Sequence, residues 1–169
     1  MVFFLLMQLL EQTHNFMLKS IFVLSTIIFI FTACSTKHQI QYKPHTKNSV
    51  TQALYKEFKR WKNTPYKYGG NSLNGIDCSG FTYVVYKNIF YKKIPRTTKE
   101  QAKIGHKIDI KNIRAGDIIL FKTGRDVRHS GVIIEGDKFI HSGNSTGVTI
   151  SSLKNPYWKT HFWQVRRVL

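Results

Sequence analysis

Between residues 49 and 62 the apolar positions Val50, Ala53, Leu54, Phe58 and Trp61 recur at helical intervals. They predict one buried helix face. Ser49 is placed to cap that helix, and Asn63-Thr64-Pro65 to end it. A polar, glycine-containing stretch follows, and then Phe81, Val84, Val85 and Ile89 mark a second helical face that begins at Cys78. Pro95 interrupts. Thr98 with Gln101, or Thr97 with Glu100, makes a capping-box pattern for a short helix ending near Gly105. Beyond that the pattern becomes strand-like, at Asp117 to Lys122, His129 to Ile134, Lys138 to Ser142, Val148 to Ser151 and Phe162 to Val168. A turn containing Pro156 separates the last two. Helices first and strands later predict an α+β domain, with N-terminal helices packed on an antiparallel β-sheet.

The hairpin around Glu135-Gly136-Asp137 decides which side chains share a face. With a two-residue loop, Val132 opposes His141 and His129 points away from it. With a three-residue loop or an equivalent bulge, Gly131 opposes His141. His129 then lies on the same face, diagonal to His141 and within reach of a ring side chain. Gly131 leaves the gap beside the imidazoles open, so the longer loop or the bulge is expected.

Residues 17 to 34 follow a different pattern. Lys19 precedes an apolar run from Ile21 to Phe31, and Thr32-Ala33-Cys34 ends it. The run is short for a membrane span and reads as an export signal with a small-residue cleavage site. Cleavage after Ala33 would make Cys34 the new N-terminus. Met17 is the better start signal, so residues 1 to 16 read as a mis-set start; a long leader is the alternative. The chain therefore divides into a signal peptide at 1–33, a polar tether that begins with Cys34 at 34–48, and a folded domain at 49–169.

The chain carries 26 Lys and Arg against 9 Asp and Glu, a net charge of +17. Such a surplus favours an acidic partner: nucleic acid, anionic lipid or an anionic polymer. The lysines are scattered, and no basic helix, Arg-rich run or nucleotide-type phosphate loop accompanies them, so nucleic acid is not expected. A basic surface without a specific partner explains the charge equally well.

Only two cysteines occur, Cys34 and Cys78. If Cys34 carries a lipid, Cys78 has no disulfide partner, and an unpaired thiol in an exported protein points to reactivity. Cys78 stands where a glycine-containing loop enters a helix. The free N–H groups and the dipole there favour the thiolate. His129 is placed to act as base and His141 to hold its ring. The backbone N–H of Cys78 and the phenol of Tyr66 are candidate oxyanion donors.

Six short motifs occur in order: Tyr66-x-Tyr68-Gly69-Gly70, Asp77-Cys78-Ser79-Gly80-Phe81, Pro95-Arg96-Thr97, Ala115-Gly116-Asp117, Arg128-His129-x-Gly131-Val132 and Phe139-Ile140-His141. Together they resemble the NlpC-type peptidoglycan endopeptidase family, from about Ser49 to the C-terminus. The resemblance implies a papain-like α+β fold and cleavage of amide bonds in cell-wall stem peptides. It maps the nucleophile to Cys78, the base to His129, the third residue to His141 and the loop tyrosine to Tyr66. In some members the residues flanking the cysteine bind the substrate's amino group, which maps here to Asp77 and Ser79; Asp77 could equally cap the helix. Thr32-Ala33-Cys34 resembles a bacterial lipoprotein signal. That implies a lipid anchor on Cys34, and Ser35 after it leans toward an outer membrane, with the domain facing the periplasm. Peptidoglycan and the membrane are the expected partners of a monomer without cofactor or metal. Three rival readings remain: a zinc site of Cys78, His129 and His141 with no fourth ligand in register, a non-catalytic wall-binding lipoprotein, and an amidase or acyltransferase on the same fold.

Overall fold

The computed structural model describes residues 47–169. The leader, Cys34, and the tether with His38 and His45 lie outside the described residues.

Helix α1 spans Lys47–Trp61. It starts two residues before Ser49, which sits in its first turn. Neither Lys47 nor Asn48 is a helix breaker, so the helix begins ahead of the expected cap. The end is as expected: Asn63 adopts a left-handed φ of 66°. A small hairpin follows, β1 (Asn71–Ser72) against β2 (Gly75–Ile76). Helix α2 then spans Cys78–Phe90 and is capped by Asp77, whose side chain accepts the N–H of Gly80. Helix α3, Thr98–Gln101, is capped by Thr97, and Thr97 Oγ1 in turn donates to Glu100. Of the two capping patterns, the one built on Thr97 and Glu100 forms.

Six strands make one antiparallel sheet: β3 (His106–Ile108), β4 (Ile118–Lys122), β5 (Arg128–Glu135), β6 (Lys138–Gly143), β7 (Gly147–Ser152) and β8 (Phe162–Arg167). Their spatial order is β3-β8-β4-β5-β6-β7. The segment around Pro156 is a short helix, α4 (Pro156–His161), where the pattern suggested only a turn. Asn155 caps it and Pro156 opens it, a position where proline's missing N–H costs nothing. β3 was not expected. It is short and exposed, and it pairs along β8.

Both faces of the central strands are covered, which is why β4 reads as a continuous apolar run. On one face Ile118, Leu120, Val132, Ile134 and Ile140 pack against Leu54 of α1 and Phe81, Val85, Tyr86 and Ile89 of α2. Val84 is only half-buried; Tyr86 takes a core position instead. On the other face Ile119, Phe121, Ile133, Phe139 and Val165 pack with Trp158 of α4. Strand alternation puts His129 and His141 on this second face.

The β5–β6 hairpin has the expected geometry. Val132 pairs with Ile140 and Ile133 with Phe139, and the register then shifts before Glu135 pairs with Lys138. The bulge at Ile134 carries the extra residue, so Gly131 opposes His141. A β-carbon on Gly131 would lie 2.7 Å from the Ile140 carbonyl oxygen and 3.2 Å from His141 Cβ. Only glycine fits beside the imidazole.

Candidate active site

Cys78 is the first residue of α2, so its own N–H has no partner within the helix. The approaching loop is fixed by backbone bonds. Tyr66 bridges to Ile76 in parallel, Ile76 N–H donates to Pro65 at 3.0 Å, and Ser142 Oγ donates to the Ile76 carbonyl at 2.7 Å. Thr82, one turn into α2, donates to the Cys78 carbonyl at 3.0 Å and meets Ser130 Oγ of β5 at 3.2 Å. These bonds seat the start of α2 against the start of β5, beside His129.

The residue before the cysteine is saturated. Asp77 Oδ1 accepts from Gly80 N–H at 2.6 Å, Arg96 Nη1 at 2.7 Å and Ser79 Oγ at 3.1 Å. Its Oδ2 accepts from Gly69 N–H at 2.8 Å and Arg96 Nη2 at 2.9 Å. Arg96 Nη2 also reaches the Gly70 carbonyl at 2.8 Å. One buried carboxylate and one guanidinium thus bind the Tyr66–Gly70 loop to the helix that carries Cys78. The glycine of the Asp-Cys-Ser-Gly motif follows from this: a β-carbon on Gly80 would lie 2.6 Å from Arg96 Nη2 and 2.9 Å from the Gly70 carbonyl oxygen. Gln101, fully buried, adds bonds from its amide to the Ser79 and Pro95 carbonyls.

Burial alone would push the Asp77 carboxyl up. The hydrogen bonds from Arg96 and Gly80 and the Arg96 charge outweigh it and hold the group below its ordinary value. That stabilisation is present above the unfolded carboxyl's pKa and is lost as pH falls through the lower folded value. Arg96→Ala should therefore cost about 1–2 kcal/mol at pH 7, since its side chain is partly solvent-screened. The gap to wild type should narrow as pH falls below about 4. Urea unfolding of both proteins across that range checks it; a pH-independent gap would contradict it.

The two histidines form a buried pair. His129 Nε2 lies 2.9 Å from His141 Nδ1, with the rings nearly perpendicular at 83°. His141 Nε2 lies 2.9 Å from Ser151 Oγ of β7. Trp158 stacks on His129 at 5.2 Å and meets His141 edge-on at 4.9 Å. Phe121 and Phe139 complete the apolar wall. Burial pulls His129 down to about 4. Burial and the neighbouring His129 pull His141 down to about 3. Both rings are neutral at pH 7.

The thiol does not follow the expectation drawn from the helix dipole. Burial pushes the Cys78 thiol up, and it outweighs the backbone N–H groups of Ser130, Ser79 and Cys78 that pull the other way. The free site thus holds a thiol beside neutral imidazoles, where the sequence position suggested a thiolate. The Tyr66 phenol is also raised, chiefly by burial and then by the proximity of Cys78 and Asp77, so it keeps its proton and can donate.

Tyr66, Cys78, His129 and His141 line one cleft of about 730 Å³, together with Ser151 and Trp158. An adjoining cleft extends from Tyr66 and Cys78 past Asp77, Ser79 and Arg96. All six candidate site residues of the domain therefore line two clefts that share Tyr66 and Cys78. Ser151 and the stacking role of Trp158 have no motif around them to announce them, and Gln101, a candidate for the capping box, bonds the Ser79 and Pro95 carbonyls instead. His106 and His161 lie elsewhere, on β3 and at the end of α4. Among the described residues, no group of three or more His, Cys, Asp or Glu is placed to hold a metal ion.

Residues 63–167 match the model of the NlpC/P60 family. A probable endopeptidase of Haemophilus influenzae is 38% identical over 158 residues, covering 89% of this chain and 98% of the relative. The probable endopeptidase NlpC of Escherichia coli is 43% identical over 122 residues, covering 71% and 79%. The murein DD-endopeptidase MepS/murein LD-carboxypeptidase of the same species is 39% identical, covering 71% of this chain and 64% of that protein. Among solved structures, an NlpC/P60 family protein from Bacillus cereus superposes with a TM-score of 0.64 at 29% identity, covering 74% of this chain and 43% of that one.

Proposed function

The chain belongs to the NlpC/P60 family, and from that premise we propose that it is a cysteine peptidase cutting amide bonds in the stem peptides or cross-links of bacterial peptidoglycan. Cys78 is the nucleophile, His129 the base and His141 the third member. The observation that carries this reading is the pairing of His129 with His141 at 2.9 Å in the cleft that Cys78 borders. The relatives named as endopeptidases supply the substrate class.

His129 Nε2 is engaged by His141, so Nδ1 is the nitrogen that serves the thiol. It takes the thiol proton as sulfur attacks the amide carbonyl. The Cys78 N–H and the Tyr66 phenol stabilise the resulting oxyanion. Collapse breaks the C–N bond, and His129 returns the proton to the leaving amine. Water, activated by the same nitrogen, then hydrolyses the thioester and releases the carboxylate product. His141 accepts the His129 Nε2–H throughout, fixing the ring and stabilising the imidazolium. The Asp77–Arg96 pair keeps the loop and helix in register. Lipid on Cys34 would hold the domain at the envelope, in an outer membrane facing the periplasm. The positive surface would favour the carboxylates of peptidoglycan.

A neutral resting pair has a consequence for pH. His129 loses its function as base only when it is protonated, as pH falls through its folded value near 4. The acid limb of kcat/KM should therefore lie well below the ordinary histidine range near 6.5. A limb centred near 6.5 would contradict the buried neutral base.

Mass spectrometry of products from purified peptidoglycan tests the reaction class. Fragments cut within stems or cross-links are expected. Whole stems released from the glycan would make the protein an amidase, and joined fragments an acyltransferase.

A further inference from the structure

The buried pair does not end at His141. His141 is 2% exposed, and its second nitrogen, Nε2, lies 2.9 Å from Ser151 Oγ. His141 pairs with Thr149 across β6 and β7. Ser151, two positions along β7, therefore stands diagonally on the same face. We propose that Ser151 is a positioning residue: its hydroxyl accepts the His141 Nε2–H and so keeps His129 Nδ1 free of a proton for Cys78. This rests on the reading of Cys78 and His129 as nucleophile and base.

Two neutral proton arrangements fit the chain His129–His141–Ser151. In the first, His129 Nε2–H donates to His141 Nδ1, and His141 Nε2–H donates to Ser151. His129 Nδ1 is then a bare lone pair that can take the thiol proton. In the second, every proton moves one place. Ser151 donates to His141 Nε2, His141 Nδ1–H donates to His129 Nε2, and His129 carries its proton on Nδ1. That arrangement cannot act as a base toward sulfur.

The hydroxyl satisfies both, because serine donates and accepts. Its removal does not affect both equally. Without it the first arrangement leaves a buried N–H with no acceptor, and the second leaves only a lone pair unmatched. Orphaned buried N–H groups are the rarer of the two in folded proteins. Losing Ser151 thus favours the second, inactive tautomer. The charged step adds to this. When His129 becomes imidazolium it must donate Nε2–H to His141, so His141 must again donate to Ser151.

The test compares the full chain as wild type, Ser151→Ala and Ser151→Thr. Threonine keeps the hydroxyl and suits a strand. Steady-state rates on soluble peptidoglycan fragments give kcat and KM. Ring-nitrogen NMR of 15N-histidine-labelled protein, read without substrate, gives the His129 and His141 tautomers. For Ser151→Ala we expect kcat about tenfold lower or more, with KM little changed. The protonated nitrogen of His141 should move from Nε2 toward Nδ1. Ser151→Thr should recover most of kcat and the wild-type tautomer. Unchanged kcat and tautomer in Ser151→Ala would overturn the proposal, as would equal losses in both variants. Failure of the underlying reading looks different: Cys78→Ala would keep its activity, while the nitrogen shifts would still report on the Ser151–His141 bond.

Discussion

His129→Gln should lower kcat by about a thousandfold and leave KM within a few-fold, since a positioned base contributes on the order of a hundred to ten thousandfold. Glutamine keeps a planar polar group of similar reach beside Trp158 and can still hydrogen-bond His141. It cannot take a proton from sulfur. The effect should be large because Cys78 rests as a thiol, pushed up by burial, so the reaction depends on proton transfer at the moment of attack. A site holding a preformed thiolate would lose less in acylation. Steady-state kinetics on soluble peptidoglycan fragments check this, and a loss of only a few-fold would remove His129 from the reaction.

The largest effect on stability is expected far from the thiol. Asp117→Ala should destabilise the domain by about 3 kcal/mol, the usual cost of breaking a buried ion pair from one side. Asp117 is 2% exposed. It accepts a two-pronged contact from Arg167, at 2.8 Å from Nε and 2.7 Å from Nη2, and the Arg114 N–H at 2.9 Å. The preceding carbonyl, of Gly116, takes the buried Tyr86 hydroxyl at 2.5 Å. This corner ties the start of β4 to the end of β8 and to α2. Without the carboxylate, Arg167 keeps its bond to the Asn112 carbonyl but loses its counter-charge. The midpoint of urea unfolding should fall with the slope unchanged, and an unmoved midpoint would contradict the assignment.

Most of the candidate site's geometry is legible in the sequence because it follows from periodicity. The helix beginning at Cys78 shows in the spacing of Phe81, Val85 and Ile89. The meeting of His129 and His141 follows from strand alternation once the hairpin carries one extra residue, which the bulge at Ile134 supplies. What escaped depends on the third dimension. Ser151 reads as an ordinary strand serine, and only the β6–β7 register brings its hydroxyl to His141. Asp77 admitted two readings, cap and substrate contact. Its two oxygens accept from Gly80, Ser79, Gly69 and Arg96, so the cap forms and the carboxylate also clamps the loop. The thiolate expectation considered only the helix terminus, whereas burial against β5 dominates the thiol. β3 has no apolar alternation to announce it, and α4 was hidden by reading Asn155-Pro156 as a turn instead of a cap and a first helical residue.

The central claim is that Cys78 performs the chemistry. Digestion of purified peptidoglycan by the wild-type chain beside Cys78→Ala tests it most directly, with both folds confirmed by circular dichroism and fragments followed by mass spectrometry. The loss of one sulfur at a helix start leaves the packing nearly intact, so the two proteins should differ in chemistry alone. New amine-bearing fragments from the wild type and none from the variant is the predicted result. Fragments released at a comparable rate by Cys78→Ala would contradict a thiol mechanism.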